Sequence, residues 1–336
     1  MSPIGVILSQ IGTPLEPTAQ AVRPYLRKFL SDRRIIDYSP WFWQPLLRGI
    51  ILRTRPRKSA KLYSEIWQAD GSPLLIHSLA QQSGLQALLG TDYQVELALA
   101  YSEPSMKQTM AKLEAAGVTR IIIVPLFPQY SSTTSASVYD QACFAALGRR
   151  SVGGPVSKRF VPALRFVDAY YKEPDYISAM HKHLHRYIED HKLDPDFYVL
   201  TFHGIPKRYV DSGDPYPLQC METARLLAEA MGWSSDRYQV TFQSRFGPEE
   251  WVGPATDEVL GQLAERGIKR PLIFSPGLVT DCLETLHELA IEGREQFAAG
   301  GGEEQQFTAA PCLNDQADWL EFLAGLVEKN ALGWRD

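Results

Sequence analysis

Residues 271–297 read PLIFSPGLVTDCLETLHELAIEGREQF, and the rest of the chain is organised around this stretch. It opens as a short apolar strand, breaks at Ser275, Pro276 and Gly277, and resumes as a helix. On that helix Glu284, Glu288 and Glu292 recur every four positions, which places their carboxylates on one face. Like charges at this spacing repel by roughly 0.2–0.5 kcal/mol per pair, so the row calls either for open water or for a cation. Both readings stand on the local sequence.

The strand, break and helix of this stretch recur along the chain. Residues 5–9 predict a buried strand ending at Gly12, Thr13 and Pro14, and Thr18 can cap a helix reaching about Leu30. Residues 95–100 predict a second strand, and residues 121–126 a continuous apolar run suited to a central parallel strand. A Gly- and Arg-rich break at residues 149–155 precedes a fresh start near Phe160. Further strands are expected at residues 160–166, 198–202 and 240–243, each followed by a helical period. Alternation of this kind argues for parallel, doubly wound α/β sheets. There are too many strands for one modest sheet, so two similar lobes are expected. Residues 1–160 form the first, joined by a returning C-terminal helix at 315–336, and residues 161–314 form the second.

Composition narrows the function. The 336 residues suffice for two cores, and the 45% hydrophobic and 22% charged fractions are those of an ordinary soluble protein. A net charge of −5 argues against a nucleic-acid partner. The cysteines Cys143, Cys220, Cys282 and Cys312 form no C-x-x-C pair, so neither a zinc ribbon nor a disulfide framework is indicated. The N-terminus is expected to be a first strand rather than a signal peptide, and no apolar run approaches the ~18 residues of a membrane span. A cytoplasmic location is therefore expected. Residues 38–52, YSPWFWQPLLRGIIL, stand out as an apolar, irregular stretch followed by Arg53, Arg55, Arg57 and Lys58. Trp41, Phe42 and Trp43 within it suit a pocket lip or a membrane-surface contact, or else anchor a loop into the core.

In open α/β sheets ligands bind beyond the carboxyl ends of the strands. The unusual residues of this chain gather there, at 11–14, 128–135, 203–206 and 275–284. No G-x-G-x-x-G follows the first strand, and neither a G-x-x-x-x-G-K-[ST] loop nor a G-x-S-x-G elbow is present. His203, at a strand end, can act as a base near neutral pH because free imidazole has a pKa of about 6.5. Together with a carboxylate row it can also hold a divalent ion in an incomplete coordination shell. His181, His183 and His185 lack a further ligand and are expected on an exposed helix surface.

Five long stretches then carry a resemblance. IGTPLEPTAQAVRPYLRKFLSDRRIID, PLFPQYSSTT, TFHGIPKRYVDSGDPYPLQC, VTFQSRFGPEEWVGPATDE and SPGLVTDCLETLHELA occur in the order found in ferrochelatases, so the chain resembles that family over nearly its whole length. The resemblance implies two Rossmann-like lobes with a porphyrin cleft between them. It implies a lyase that inserts Fe(II) into a porphyrin with release of two protons, the last step of haem biosynthesis. His203 and Glu284 match the family's catalytic and metal-contacting residues, while Glu288 and Glu292 match an acidic path for protons or iron on a helix with a π-type distortion. Tyr101, Tyr130 and the neighbouring Ser131 match pocket-lining positions, whereas Ser244, Arg245 and Trp251 belong to a family motif without assigned chemistry. Ile11 stands where coproporphyrin-specific members tend to have Tyr. Its apolar side chain resembles members that act on protoporphyrin IX. Cys282 replaces a histidine of animal members. No permanent cofactor and no iron–sulfur cluster are expected, and the protein is expected to be a monomer touching the membrane peripherally through its aromatic lip.

Overall fold

The computed structural model describes residues 2–148 and 158–334, and the break expected at residues 149–155 therefore lies outside the described residues. The chain divides into two compact units, Met1–Phe127 with Ser131–Asp168 and Leu320–Asp336, and Pro128–Tyr130 with Ala169–Trp319.

In the first unit β1 (Ile4–Gln10) is buried at every position, as a strand covered on both faces requires. Helix α1 (Ala19–Phe29) follows, its first turn capped where the Ala21 N–H donates to Thr18 Oγ1 at 3.3 Å. Residues expected to be irregular are helical instead. Helix α2 (Pro40–Leu46) begins with proline at its first position, passes through a π turn at Leu47–Ile51 and continues as α3 (Leu52–Ile66). Helical periodicity then separates the aromatic trio that the sequence grouped together. Trp41 is 91% and Phe42 64% exposed, whereas Trp43 is 7% exposed and donates its indole N–H to the Leu30 carbonyl at 2.7 Å. Trp43 is thus a core anchor and not part of an exposed lip.

Helix α4 (Pro73–Leu89) leads to β2 (Tyr93–Leu99), α5 (Met106–Ala115) to β3 (Arg120–Pro125), and α6 (Ser135–Leu147) to β4 (Ala163–Phe166). The four strands form a parallel sheet in the order β2-β1-β3-β4. One face packs Ile7, Ile121 and Ile123 against Met110, Leu113 and Val138. The end of the chain belongs to this unit, where Arg165 Nη1 donates to the carbonyls of Asn330 and Leu332 at 2.6 and 2.7 Å.

The second unit repeats the plan. Helix α7 (Pro174–Asp190), β5 (Phe197–His203), the short α8 (Lys207–Asp211), α9 (Tyr216–Ala230), β6 (Tyr238–Gln243), α10 (Thr256–Gln262) and β7 (Pro271–Phe274) follow in turn. A π-helix (Glu284–Glu292) then runs into α11 (Gly293–Ala299) and β8 (Thr308–Ala309), and the helix α12 (Ala317–Ala331) that follows belongs to the first unit from Leu320 on. This sheet is also parallel and has the order β6-β5-β7-β8, the same permutation as the first. The chain leaves β5 for β6 on one side and leaves the adjacent β7 for β8 on the other, so a topological switch point lies between β5 and β7, where a crevice opens beyond the strand ends. His203 closes β5 there, and the turn after β7 leads to the π-helix.

The predicted exposed histidine surface needs a correction. The rings of His181 and His185 lie 5.9 Å apart and tilted, and His185 Nδ1 meets Glu189 at 3.3 Å one turn later, but His183 is buried with Nε2 2.8 Å from the Pro311 carbonyl. Burial lowers its pKa, as expected for an imidazole shielded from water.

Candidate active site

The turn after β7 is pressed against β5. At Gly277 a Cβ would lie 2.9 Å from Phe202 Cδ1 and 3.2 Å from Gln129 Oε1, so only glycine lets the backbone approach this closely. Tyr176 donates its hydroxyl to the Pro276 carbonyl at 2.5 Å, and Ser275 Oγ donates to the Thr201 carbonyl at 3.0 Å. Beyond the turn, Asp281 anchors the start of the π-helix. Its buried carboxylate accepts from Thr285 Oγ1 at 2.9 Å, from the Cys312 N–H at 3.1 Å and from Asn314 Nδ2 at 2.7 Å. Asn314 Oδ1 in turn accepts the Asp281 N–H at 2.9 Å. These bonds replace the water the carboxylate has lost.

The helix that follows is π-type over Glu284–Glu292, with the Gly293 N–H reaching the Glu288 carbonyl five residues back. All three glutamates of the row are half-buried, none standing in open solvent. Each has different company. The Glu288 carboxylate is held by Ser244, whose N–H donates to Oε1 at 2.6 Å and whose Oγ donates to Oε2 at 2.5 Å. Burial raises the Glu288 pKa, the Ser244 bonds and nearby His203 oppose the rise, and Glu284 adds to it. Glu288 therefore shares an electrostatic neighbourhood with both His203 and Glu284. Glu292 pairs with His287 Nδ1 at 3.5 Å. The Cys282 thiol, buried beside Glu284, is pushed well above the usual thiol range, chiefly by its burial.

His203 is half-buried, and its Nδ1 lies 2.7 Å from the Gly204 carbonyl. A carbonyl can only accept, so Nδ1 donates here, and in the neutral imidazole the lone pair is then on Nε2. That lone pair can take up a proton or contact a metal ion. Among the described residues no group of three or more His, Cys, Asp or Glu side chains is arranged to hold a metal ion.

The remaining sequence-predicted positions are distributed as follows. Ile11 and Tyr101 meet at the carboxyl ends of β1 and β2, where the Tyr101 N–H donates to the Ile11 carbonyl at 3.1 Å. Ile11 is half-buried, while Tyr101 is buried and its hydroxyl donates to Asp32 Oδ2 at 2.7 Å beside Ser137. Burial and the Asp32 charge push the phenol above its ordinary range, so it remains protonated. Tyr130 belongs to the second unit and Ser131 to the first. The Tyr130 N–H donates to Gln219 Oε1 at 2.7 Å, and Ser131 Oγ lies 2.9 Å from Thr133 Oγ1. Two residues near the acidic row escaped sequence reasoning. Ser244 bears no signal beyond its motif because its partner is 44 positions away. His287 is revealed only by the π register.

Two parallel sheets of identical strand order, with a histidine and a carboxylate row beyond adjacent strand ends of the second, define a doubly wound α/β protein of two units. The same architecture occurs in SirB from Bacillus subtilis, solved with Fe3+, at a TM-score of 0.56 over 99% of this chain and 97% of that one. Identity there is 13%, so the likeness is one of fold. The ferrochelatase family profile matches residues 3–331. A ferrochelatase of Neisseria gonorrhoeae is 42% identical over 330 residues, covering 98% of this chain and 94% of the relative. Ferrochelatase 1 of Shewanella oneidensis is 44% identical over 334 residues, covering 98% and 96%, and a Brucella canis ferrochelatase is 43% identical over 335, covering 98% and 92%. The chain belongs to the ferrochelatase family.

Proposed function

We propose that this protein is a lyase that inserts Fe(II) into protoporphyrin IX, forming protohaem and releasing two protons. Iron enters as a substrate, and no resident cofactor is part of the reading. The observation that carries it is the clustering around Glu288, which lies within electrostatic reach of both His203 and Glu284. Insertion exchanges two N–H protons for one divalent ion, so net charge on the macrocycle is unchanged and the site must accept two protons while water is stripped from the metal. His203, its Nδ1 turned to the Gly204 carbonyl, offers Nε2 of the neutral ring as first acceptor or metal contact. Glu284 is assigned the partner role, and Glu288 and Glu292 a polar path behind it.

Ile11 supports protoporphyrin over coproporphyrin, because an apolar side chain offers no partner to an additional propionate. The exposed Trp41, Phe42 and Ile50, beside Arg48 and Arg53, support a peripheral contact with a lipid surface. No helix among the described residues is long and apolar enough to cross a membrane. A monomer working in the cytoplasm and touching the membrane surface completes the reading.

The test is anaerobic insertion followed by porphyrin absorbance, with Fe(II) or Zn(II) as the metal. His203→Ala and Glu284→Gln are expected to lose at least about 100-fold in rate, the scale of general acid–base catalysis, while still binding porphyrin. Full activity in either variant overturns its assigned role. Faster turnover of coproporphyrin III than of protoporphyrin IX overturns the inference from Ile11.

A further inference from the structure

We propose that Ser244 is a positioning residue for metal insertion, clamping both oxygens of Glu288 so that this carboxylate is a stationary acceptor beside His203 and Glu284. This rests on the reading of the site given above. Ser244 follows β6 and has φ +65°, a left-handed conformation that residues other than glycine rarely adopt. The conformation turns N–H and Oγ toward the same carboxylate, at 2.6 and 2.5 Å. Backbone strain is retained where the surroundings over-determine it, and here it yields two charge-assisted bonds to a half-buried acid.

The clamp is not needed to hold the elements it joins. β6 is already paired to β5 from Tyr198↔Tyr238 to His203↔Gln243, and the π-helix is anchored at its start by Asp281. What the clamp does determine is the freedom of Glu288. With one bond on each oxygen, the carboxylate cannot swing to carry a metal ion without breaking both. Glu284 differs in its company, having a side-chain hydrogen bond with the buried Cys282 thiol.

The test uses the full-length enzyme and Zn(II) insertion into protoporphyrin IX, with kcat and porphyrin KM measured for wild type, Ser244→Gly, Ser244→Ala, Glu288→Gln and the Ser244→Gly/Glu288→Gln double variant. Glycine accepts the positive φ, so the fold is kept while the hydroxyl is removed. Ser244→Gly and Ser244→Ala are each expected to lose about tenfold or more in kcat, the weight of a hydrogen bond to a charged group, with KM within about twofold of wild type. Adding Ser244→Gly to Glu288→Gln is expected to cause no further loss, because the serine acts only through that carboxylate. An unchanged kcat in Ser244→Gly, an effect confined to KM, or a full additional loss in the double variant overturns the proposal. Should Glu288→Gln turn over too slowly to follow, the split between kcat and KM in Ser244→Gly decides. A wild-type enzyme that inserts no metal would instead sink the functional reading itself.

Discussion

His287 Nδ1 lies 3.5 Å from a carboxylate oxygen of Glu292, five residues further along the same helix. In an α-helix facing pairs stand three or four apart, so this contact is a direct product of the π register. It also gives Glu292 a partner of its own, separate from the Ser244 contact of Glu288.

That separation predicts a graded response along the acidic row. Glu292→Gln alters a partly exposed contact and should change stability by no more than about 1 kcal/mol. If Glu292 lies on a metal path, its loss should raise the metal KM several-fold while kcat stays near wild type. Steady-state kinetics with varied Zn(II), alongside urea unfolding, checks both; a collapse of kcat would place Glu292 in the reaction itself.

Asp281 is expected to matter more for stability. Asp281→Ala leaves Asn314, Thr285 and the Cys312 N–H without their acceptor in a buried site. A loss of about 2–4 kcal/mol in urea unfolding is expected, together with reduced insertion as the start of the π-helix loosens. Asp281→Asn keeps the shape and should lose less.

Glu288 should make stability pH-dependent with a definite sign. Its folded-state pKa is raised above the ordinary 4.5, chiefly by burial, so the folded protein holds this proton more tightly than the unfolded chain. The associated stability is fully present below 4.5 and is lost as pH rises through the folded value. Glu288→Gln, which cannot ionise, should therefore gain stability relative to wild type as pH rises above 4.5 in thermal unfolding. A difference that is flat over that rise would contradict the shift.

The aromatic stretch divides into two mutational classes. The double variant Trp41→Ser/Phe42→Ser removes exposed side chains and should leave unfolding unchanged while weakening co-sedimentation with anionic vesicles. Trp43→Ala removes a buried ring and its bond to the Leu30 carbonyl, and should cost about 3–5 kcal/mol. Unchanged vesicle binding in the double variant would remove the membrane contact.

Continuous apolar runs such as residues 121–126 made the parallel strands legible, because a strand covered on both faces must be apolar throughout. The punctuation after them, His203 at one strand end and Ser275, Pro276 and Gly277 at another, marked where the site lies. These are local properties, written in consecutive residues. Tertiary structure decided which tryptophan of the aromatic stretch points inward, that His183 is buried, and that Glu288 is held by a serine 44 positions away. The opening stretch shows both sides of the division. Its four-residue glutamate spacing is readable in the chain, but the company of each carboxylate depends on the π register and on a left-handed serine beyond another strand. Neither leaves a periodic trace, because both arise from contacts between elements far apart in sequence.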